Sequence, residues 1–146
     1  MATFITHSTE ETRAFGASLA QKTVPGTVLA FRGDLGAGKT SSIQGFLEAL
    51  GAEKPYTSPT FVIMKEYRLS KPSETGIARV YHIDAYRIES PSEMEKLGFE
   101  EWVADPEGVV LVEWPEKIAP LLPLQTKTLS LTWLSDTDRE ITVEGS

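Results

Sequence analysis

The stretch Gly33-Asp34-Leu35-Gly36-Ala37-Gly38-Lys39-Thr40 decides how this chain is organised. It fits the pattern GxxxxGK(S/T) at every specified position, which is the sequence of a phosphate-binding loop, or P-loop. The apolar run Thr27–Phe31 before it has the continuous hydrophobicity of a buried, parallel strand. Thr40–Leu50 after it places its apolar residues on one helical face and ends at Gly51. The sequence therefore predicts a strand, a P-loop and a helix in succession.

The glycines of this loop let the main chain adopt positive φ and approach an anion without an intervening Cβ. The N–H groups of the loop and of the following helix N-terminus then face the phosphates. We expect Lys39 to place its ammonium on the β- and γ-phosphates of ATP or ADP, and the Thr40 hydroxyl to ligate Mg²⁺. The residues predicted to bind nucleotide here are contiguous, namely Gly33, Asp34, Leu35, Gly36, Ala37, Gly38, Lys39, Thr40 and Ser41. The Asp34 side chain should point away from the phosphates, because like charges repel.

Strands alternate with helices early in the chain and follow one another later. Ser8 and Glu11 form a capping-box pattern that opens a first helix, which should run to about Thr23. The other predicted elements are strands at Phe61–Arg68, Ile77–Ile83, Val109–Val112, Leu129–Trp133 and Ile141–Val143, and a helix opened by Ser90-Pro91-Ser92-Glu93. We expect an α/β, P-loop NTPase-like mixed sheet with a parallel centre, helices on both faces, and antiparallel strands toward the edge and C-terminus. Residues 1–146 should form a single P-loop ATPase domain.

The composition narrows the class of protein. The chain has 146 residues, of which 40% are hydrophobic and 24% charged, as in an ordinary globular domain. It has no cysteine, which excludes disulfides, thiolate metal sites and cysteine nucleophiles. No apolar run approaches the roughly 20 residues of a membrane span, and the first residues do not resemble a secretory signal, so we expect a cytoplasmic protein without a membrane partner. A net charge of -7 argues against tight, independent binding to a nucleic-acid backbone.

A P-loop nucleotide site also needs a carboxylate at a strand end to hold Mg²⁺. Two residues are candidates, because Asp84 follows Val80–Ile83 and Glu113 follows Val109–Val112. Either could bind the metal while the other orients the attacking water. His82, in the same strand as Asp84, is more readily explained as a packed histidine than as a metal ligand, because no nearby histidine or cysteine completes a site.

The choice of nucleotide and reaction rests on what the chain lacks. It contains no asparagine, so it cannot carry the Asn-Lys-x-Asp motif with which familiar GTPases read guanine, and ATP is favoured over GTP. A small-molecule kinase is the main rival enzyme class, but such kinases need a lid and an acceptor pocket with several arginines. A small ATPase that acts on a protein partner fits the chain length better. A third hypothesis is a nucleotide-dependent sensor, in which hydrolysis is incidental.

Four motifs in register, GDLGAGKT (33–40), TSPTF (57–61), YHIDAYR (81–87) and VEWPE (112–116), resemble the bacterial TsaE (YjeE) family over about Phe4 to Val143. The resemblance implies an ATPase required for the N6-threonylcarbamoyladenosine (t6A) modification of tRNA. It also implies two protein partners, the TsaD and TsaB subunits of the threonylcarbamoyltransferase complex. Hydrolysis would reset or sustain that complex, with low activity alone and stimulation by the partners. Contact with tRNA would then be indirect.

The same resemblance implies roles for individual residues. Thr40 and Glu113 would be the Mg²⁺ ligands, Asp84 a catalytic or water-positioning carboxylate, and Thr60 part of a switch-like segment near the γ-phosphate. The catalytic residues would then be Lys39, Asp84, Thr60 and Glu113.

Three further positions follow from the resemblance at the edges of the site. Trp114 matches the Glu-Trp dipeptide of the family and would have an active-site or docking role. Arg139, in the Asp136–Glu140 turn, would lie near the nucleotide, and Ser8 or Thr9 near the base.

Overall fold

The computed structural model of the protein describes residues 1–59 and 61–145. Within these residues, the strands form one seven-stranded sheet. The strands are β1 (Ala2–Thr6), β2 (Val28–Arg32), β3 (Met64–Arg68), β4 (Arg79–Asp84), β5 (Gly108–Glu113), β6 (Lys127–Trp133) and β7 (Arg139–Glu144). The helices are α1 (Thr9–Lys22), α2 (Lys39–Ala49), α3 (Pro91–Leu97) and α4 (Phe99–Ala104), followed by a 3₁₀ segment over Pro115–Leu121.

The sheet has a parallel centre, as predicted. Its strand order is β1-β7-β6-β2-β5-β4-β3, with β2 parallel to both β5 and β6, and β4 parallel to β5. The outer pairs β3–β4, β6–β7 and β1–β7 are antiparallel. Every residue of β5 is buried and so are the first four of β2, because strands covered on both faces need apolar side chains throughout.

Helices cover both faces of the sheet, which confirms the predicted layers. Alternate residues of β2 contact different cores, since successive side chains in a strand point to opposite faces. Leu29 and Phe31 lie in a cluster with Ile43 and Phe46 of α2, whereas Val28 lies in a second cluster with Met94 of α3. The prediction that residues 1–146 form a single domain stays a prediction.

Two glycines let α1 and α2 cross in close contact. A Cβ on Gly16 would lie 1.9 Å from the Ser42 carbonyl oxygen, and a Cβ on Gly45 would lie 1.9 Å from the Arg13 carbonyl oxygen. No side chain fits at either position without moving a helix. The crossing brings the first turn of α1 to the P-loop, where a Cβ on Gly38 would meet Thr12 Cγ2 at 3.2 Å.

The strand predicted from Phe61 begins only at Met64. The N–H groups of Val62 and Ile63 both donate to the Pro59 carbonyl oxygen, at 3.1 and 2.6 Å, which closes a turn instead of extending the chain. Ile63 has a φ of 70°, an unusual value for a β-branched residue. Phe61 and Val62 are exposed as a result. The prediction of a strand was therefore wrong for residues 61–63.

Three elements were not predicted, namely β1, α4 and the 3₁₀ segment over Pro115–Leu121. Four of the five β1 residues are exposed, so they lack the pattern of a buried strand. The element exists because it pairs with β7 in the register Phe4↔Ile141.

Among the helices of residues 1–59 and 61–145, none combines the length and the apolar character of a membrane span.

The capping box predicted at Ser8 and Glu11 forms in part, whereas the one expected at Ser90 and Glu93 does not form. At α1 the Ser8 hydroxyl accepts from the Glu11 N–H at 3.0 Å, as predicted, but the Glu11 carboxylate accepts from the His7 N–H. At α3 the Ser90 side chain makes no capping bond. The Glu93 carboxylate instead accepts from the Glu89 N–H at 3.1 Å. The helices start where the sequence indicated, one residue beyond each serine.

Candidate active site

The P-loop connects the end of β2 to the start of α2 and has the conformation that its glycines predict. Gly33, Gly36 and Gly38 have φ values of 147°, 82° and 103°, all in the region that favours glycine. A Cβ on Gly33 would lie 2.6 Å from the Leu131 carbonyl oxygen, so this position also needs glycine for space. Residue 39 is the first of α2, and the loop therefore ends at a helix N-terminus, where free N–H groups favour an anion.

An open cavity of about 380 Å³ lies over this loop. Most of the predicted site residues line it, namely Ser8, Thr9, Leu35, Gly36, Gly38, Lys39, Thr40, Ser41, Asp84, Glu113, Trp114 and Arg139. Gly33, Asp34 and Ala37 are absent from the lining, and Asp34 is exposed. Thr60 lies outside the described residues. The structure therefore brings together residues from both ends of the chain and from its middle.

The two candidate carboxylates lie side by side at the cavity. Asp84 ends β4 and Glu113 ends β5, and the two are directly paired in the parallel register. Asp84 is 5% exposed and Glu113 is 6% exposed. Asp84 accepts a hydrogen bond from the Tyr86 N–H at 3.0 Å and contacts the Ser58 hydroxyl at 3.3 Å. Adjacent parallel strands end at the same sheet edge, so the pairing follows from the fold.

His82 contacts the site through Glu113, a role that the sequence did not indicate. The His82 Nε2 atom lies 2.8 Å from Glu113 Oε2, and both side chains are buried. An ionised carboxylate only accepts hydrogen bonds, so Nε2 carries the hydrogen and donates. The spacing of two places His82 on the same strand face as Asp84, but the contact with Glu113 depends on the register of β4 and β5.

Lys39 is a buried cation with an aromatic neighbour. It is 6% exposed, and its Nζ makes no hydrogen bond within the described residues. That atom lies 4.1 Å from the centroid of the Trp114 ring, a cation–π contact. Trp114 itself has a φ of 58°, which is strained for an aromatic residue, and its ring lies 5.1 Å from that of Tyr86. This left-handed backbone turns the chain immediately after Glu113, and the ring lies over the P-loop lysine.

The other end of the cavity is formed by the first turn of α1 and the β6–β7 connection. Arg139 is the first residue of β7, and its Nε donates to the Gly36 carbonyl oxygen at 2.9 Å. The sequence had not singled out Thr12, Asp136 and Thr137, which also line this end. Thr12 lies one turn after Thr9 on the same helix face, so the helical period is the signal for it.

Comparison with known proteins decides the family. The model of the family described as "Threonylcarbamoyl adenosine biosynthesis protein TsaE" matches residues 6–141. The chain belongs to the TsaE family. A TsaE protein of Bacillus subtilis is 42% identical over 133 residues, covering 91% of this chain and 78% of the relative. A TsaE protein of Treponema pallidum is 35% identical over 139 residues, covering 95% and 97%.

The crystal structure of YdiB from Bacillus subtilis superposes on this TsaE-family chain with a TM-score of 0.79. The two are 35% identical, and the match covers 99% of this chain and 84% of YdiB. The predicted family and fold class are therefore confirmed. The roles of individual residues in this TsaE-family member, which the family resemblance implies, are proposals.

Proposed function

We propose that this protein binds Mg²⁺–ATP in the cavity over its P-loop and hydrolyses it in support of t6A biosynthesis. One observation carries the proposal: the buried Lys39 ammonium, without a hydrogen-bond partner in the described residues, lies at the start of α2 beside a glycine-rich loop. A buried cation without a counterion is costly, and a polyphosphate supplies the missing charge. ADP would occupy the same place after hydrolysis.

The loop fits a phosphate group in shape as well as charge. Gly36 and Gly38 adopt the left-handed conformation, and no side chain at these positions blocks the approach of an anion to the loop. The Gly36 carbonyl oxygen already accepts a hydrogen bond from Arg139. The nucleotide-binding set we propose is the predicted one, Gly33 to Ser41 with Thr9, Trp114 and Arg139.

The metal site that the family implies also fits these residues. Thr40 and Glu113 both line the cavity and provide a hydroxyl and a carboxylate oxygen, the hard ligands that Mg²⁺ prefers. One or two protein oxygens suffice, because phosphate oxygens and waters complete the octahedron. When bound, the metal would neutralise charge on the β- and γ-phosphates.

We infer that Asp84, rather than Glu113, orients the attacking water. Its carboxylate is held by the Tyr86 N–H and lies beside Ser58, on the side of the sheet that faces the P-loop. As the water oxygen bonds to the γ-phosphorus, the bond to the β–γ bridging oxygen breaks and ADP leaves with that oxygen. The phosphate product, H₂PO₄⁻, keeps both hydrogens of the water. Lys39 stabilises the negative charge that develops on the bridging oxygen. Thr60 would contribute near the γ-phosphate.

The role in the cell is proposed from the names of the relatives and the charge of the chain. Both relatives are named tRNA threonylcarbamoyladenosine biosynthesis proteins. A chain of net charge -7 is unsuited to holding tRNA alone, so we propose that it acts through the TsaD and TsaB subunits in the cytoplasm. Its ATP hydrolysis would be slow alone and stimulated by that complex.

The test has two stages. Calorimetry with Mg²⁺–ATP and Mg²⁺–ADP should show one site per chain, and the absence of binding to folded protein would refute the proposal. ATP turnover is then measured with and without purified TsaD–TsaB, and stimulation is expected. Negligible turnover with the complex present would instead indicate a nucleotide sensor. Phosphate transfer to an added metabolite without the partners would indicate a kinase.

A further inference from the structure

We propose that His82 is a positioning residue that holds the Glu113 carboxylate in its metal-binding orientation, and so sets the affinity of the site for Mg²⁺. This inference rests on the proposed function, since it takes Glu113 as a magnesium ligand. It concerns a residue that sequence analysis treated as ordinary packing. Its basis is the hydrogen bond that joins the two side chains beneath the cavity.

The contact is short, buried and directional. His82 Nε2 and Glu113 Oε2 are 2.8 Å apart, and the side chains are 5% and 8% exposed. Within the described residues Glu113 Oε2 has this one hydrogen bond, and Oε1 has none. The histidine therefore occupies one carboxylate oxygen and leaves the other for a ligand in the cavity.

The sheet explains why His82 reaches Glu113. In the parallel register His82 is opposite Leu111 and Asp84 is opposite Glu113, so His82 and Glu113 are diagonal neighbours on one face of β4 and β5. The same face carries Val80, Val109 and Leu111, which lie in the core cluster under α2. An apolar residue would suit such a position better than a histidine if packing were the only requirement.

Within the described residues, the one hydrogen bond of the His82 ring goes to Glu113. His82 Nδ1 is buried and makes no hydrogen bond with any described residue. A histidine retained for core structure would be expected to satisfy both ring nitrogens. Here the single bond goes to a residue that lines the cavity, which points to a role at the site.

The carboxylate of Asp84 lies next to Glu113 and explains why Glu113 needs the hydrogen bond from His82. Asp84 and Glu113 are both acidic and directly paired, so a second partner is needed to favour the charged form of Glu113 beside its neighbour. The N–H of His82 stabilises the Glu113 charge and restricts rotation of its side chain. Removing such a partner of a metal ligand typically costs 10–100-fold in metal affinity.

The experiment compares two substitutions that differ in one donor. His82→Phe removes the N–H and keeps a ring, whereas His82→Gln retains an N–H near the position of Nε2. Calorimetry of Mg²⁺ titrated into the protein–ADP complex gives the affinity for the metal. The affinity for ADP in EDTA, measured separately, reports whether the nucleotide site is intact. His7→Phe serves as the control, since His7 is the other histidine of the chain and is exposed.

We expect His82→Phe to weaken Mg²⁺ binding by roughly 10–100-fold while ADP affinity in EDTA changes less than about threefold. His82→Gln should bind Mg²⁺ within about threefold of the unmodified protein, and so should His7→Phe. Equal Mg²⁺ affinity in His82→Phe and the unmodified protein would overturn the inference. So would equal weakening by the two His82 variants, or a parallel loss of ADP affinity in EDTA, because either would indicate a packing role.

A further variant separates this inference from the proposed function. Glu113→Gln should weaken Mg²⁺ binding, and His82→Phe should add little to it in the double variant. If Glu113→Gln weakens binding but His82→Phe does not, the role of His82 is wrong and the proposed function stands. If the unmodified protein binds no Mg²⁺–nucleotide, both fail. Should His82→Phe not fold, His82→Asn replaces it, because its shorter amide does not reach the carboxylate.

Discussion

At the scale of single residues, the environment of Lys39 favours the binding of a phosphate. Its ammonium is buried over the Trp114 ring at 4.1 Å and makes no hydrogen bond in the described part of the chain. The quadrupole of an aromatic ring replaces only part of the hydration that a buried ammonium loses. Trp114 therefore keeps the lysine in place, and a phosphate can still gain a strong, charge-assisted bond from it.

Replacing Lys39 should weaken ATP binding strongly. Lys39→Ala removes hydrogen bonds to the charged β- and γ-phosphates, worth about 1.5–3 kcal/mol, so we expect affinity to fall roughly 10–150-fold. Calorimetry with Mg²⁺–ATP measures the change. Lys65→Ala is the matched control, because Lys65 also lies over an aromatic ring, that of Tyr67 at 4.8 Å, and does not line the cavity. Unchanged affinity in Lys39→Ala would contradict the assignment.

At the scale of elements, the site depends on how closely α1 and α2 approach. The P-loop belongs to α2, whereas Thr9 and Thr12 at the other end of the cavity belong to the first turn of α1. Their relative position is determined by the crossing at Gly16 and Gly45, where main-chain atoms of the two helices are in contact. Any side chain there would separate the helices.

Gly16→Ala should therefore destabilise the fold. The added Cβ would meet the Ser42 carbonyl oxygen at 1.9 Å, and this cost exceeds the gain in helix propensity of about 1 kcal/mol. We expect the free energy of unfolding to fall by about 1–3 kcal/mol in urea denaturation. Ser18→Ala, on the exposed side of the same helix, should leave stability unchanged or slightly higher. A stabilised Gly16→Ala protein would show that the crossing is looser than described.

A second contact between elements lies at the start of β4, at the end of that strand away from Asp84. There Asp105, which follows α4, binds residues of β4. Arg79 Nε and Nη2 donate to Asp105 at 2.6 and 2.8 Å, and the Tyr81 hydroxyl donates at 2.6 Å. The bonds from Arg79 hold the pKa of the Asp105 carboxyl well below its usual range. Burial and the bond to Asp105 raise the pKa of Tyr81 to about 12.

Asp105→Asn should lower the free energy of unfolding at pH 7 by about 1–3 kcal/mol, because charged hydrogen bonds are lost. The pKa of Asp105 is lower in the folded state, so its stabilisation is present above about pH 4 and is lost as the pH falls further. The difference between the two proteins should thus shrink below about pH 4 in urea titrations. A difference that stays constant down to pH 3 would count against this network. Glu107→Gln, at an exposed partner of Arg79, is the control and should change little.

At the scale of the whole molecule, the negative charge is unevenly placed. Residues 89–107 contain seven acidic residues and one lysine. This segment therefore has a net charge of -6, compared with -7 for the whole chain. Much of that segment forms α3 and α4, which cover the second face of the sheet. A polyanion approaching that face would be repelled.

The isolated protein should accordingly bind tRNA poorly. In filter binding at 150 mM salt we expect no sub-micromolar affinity, because phosphate contacts need clustered lysine and arginine. The same assay with TsaD–TsaB added should retain tRNA on the filter. Sub-micromolar binding by the chain alone would show that it contacts the substrate directly.

The sequence by itself determined the P-loop, the buried strand before it, the amphipathic helix after it, and the carboxylates at the ends of two strands. These features depend on local spacing, because glycine conformation and strand alternation act over a few residues. Only the tertiary structure decided which distant residues meet. The His82–Glu113 bond joins residues 31 apart, and the Arg139–Gly36 bond joins residues 103 apart. Such contacts, like the pairing of β1 with β7, arise from sheet register and helix crossing, which no local pattern encodes.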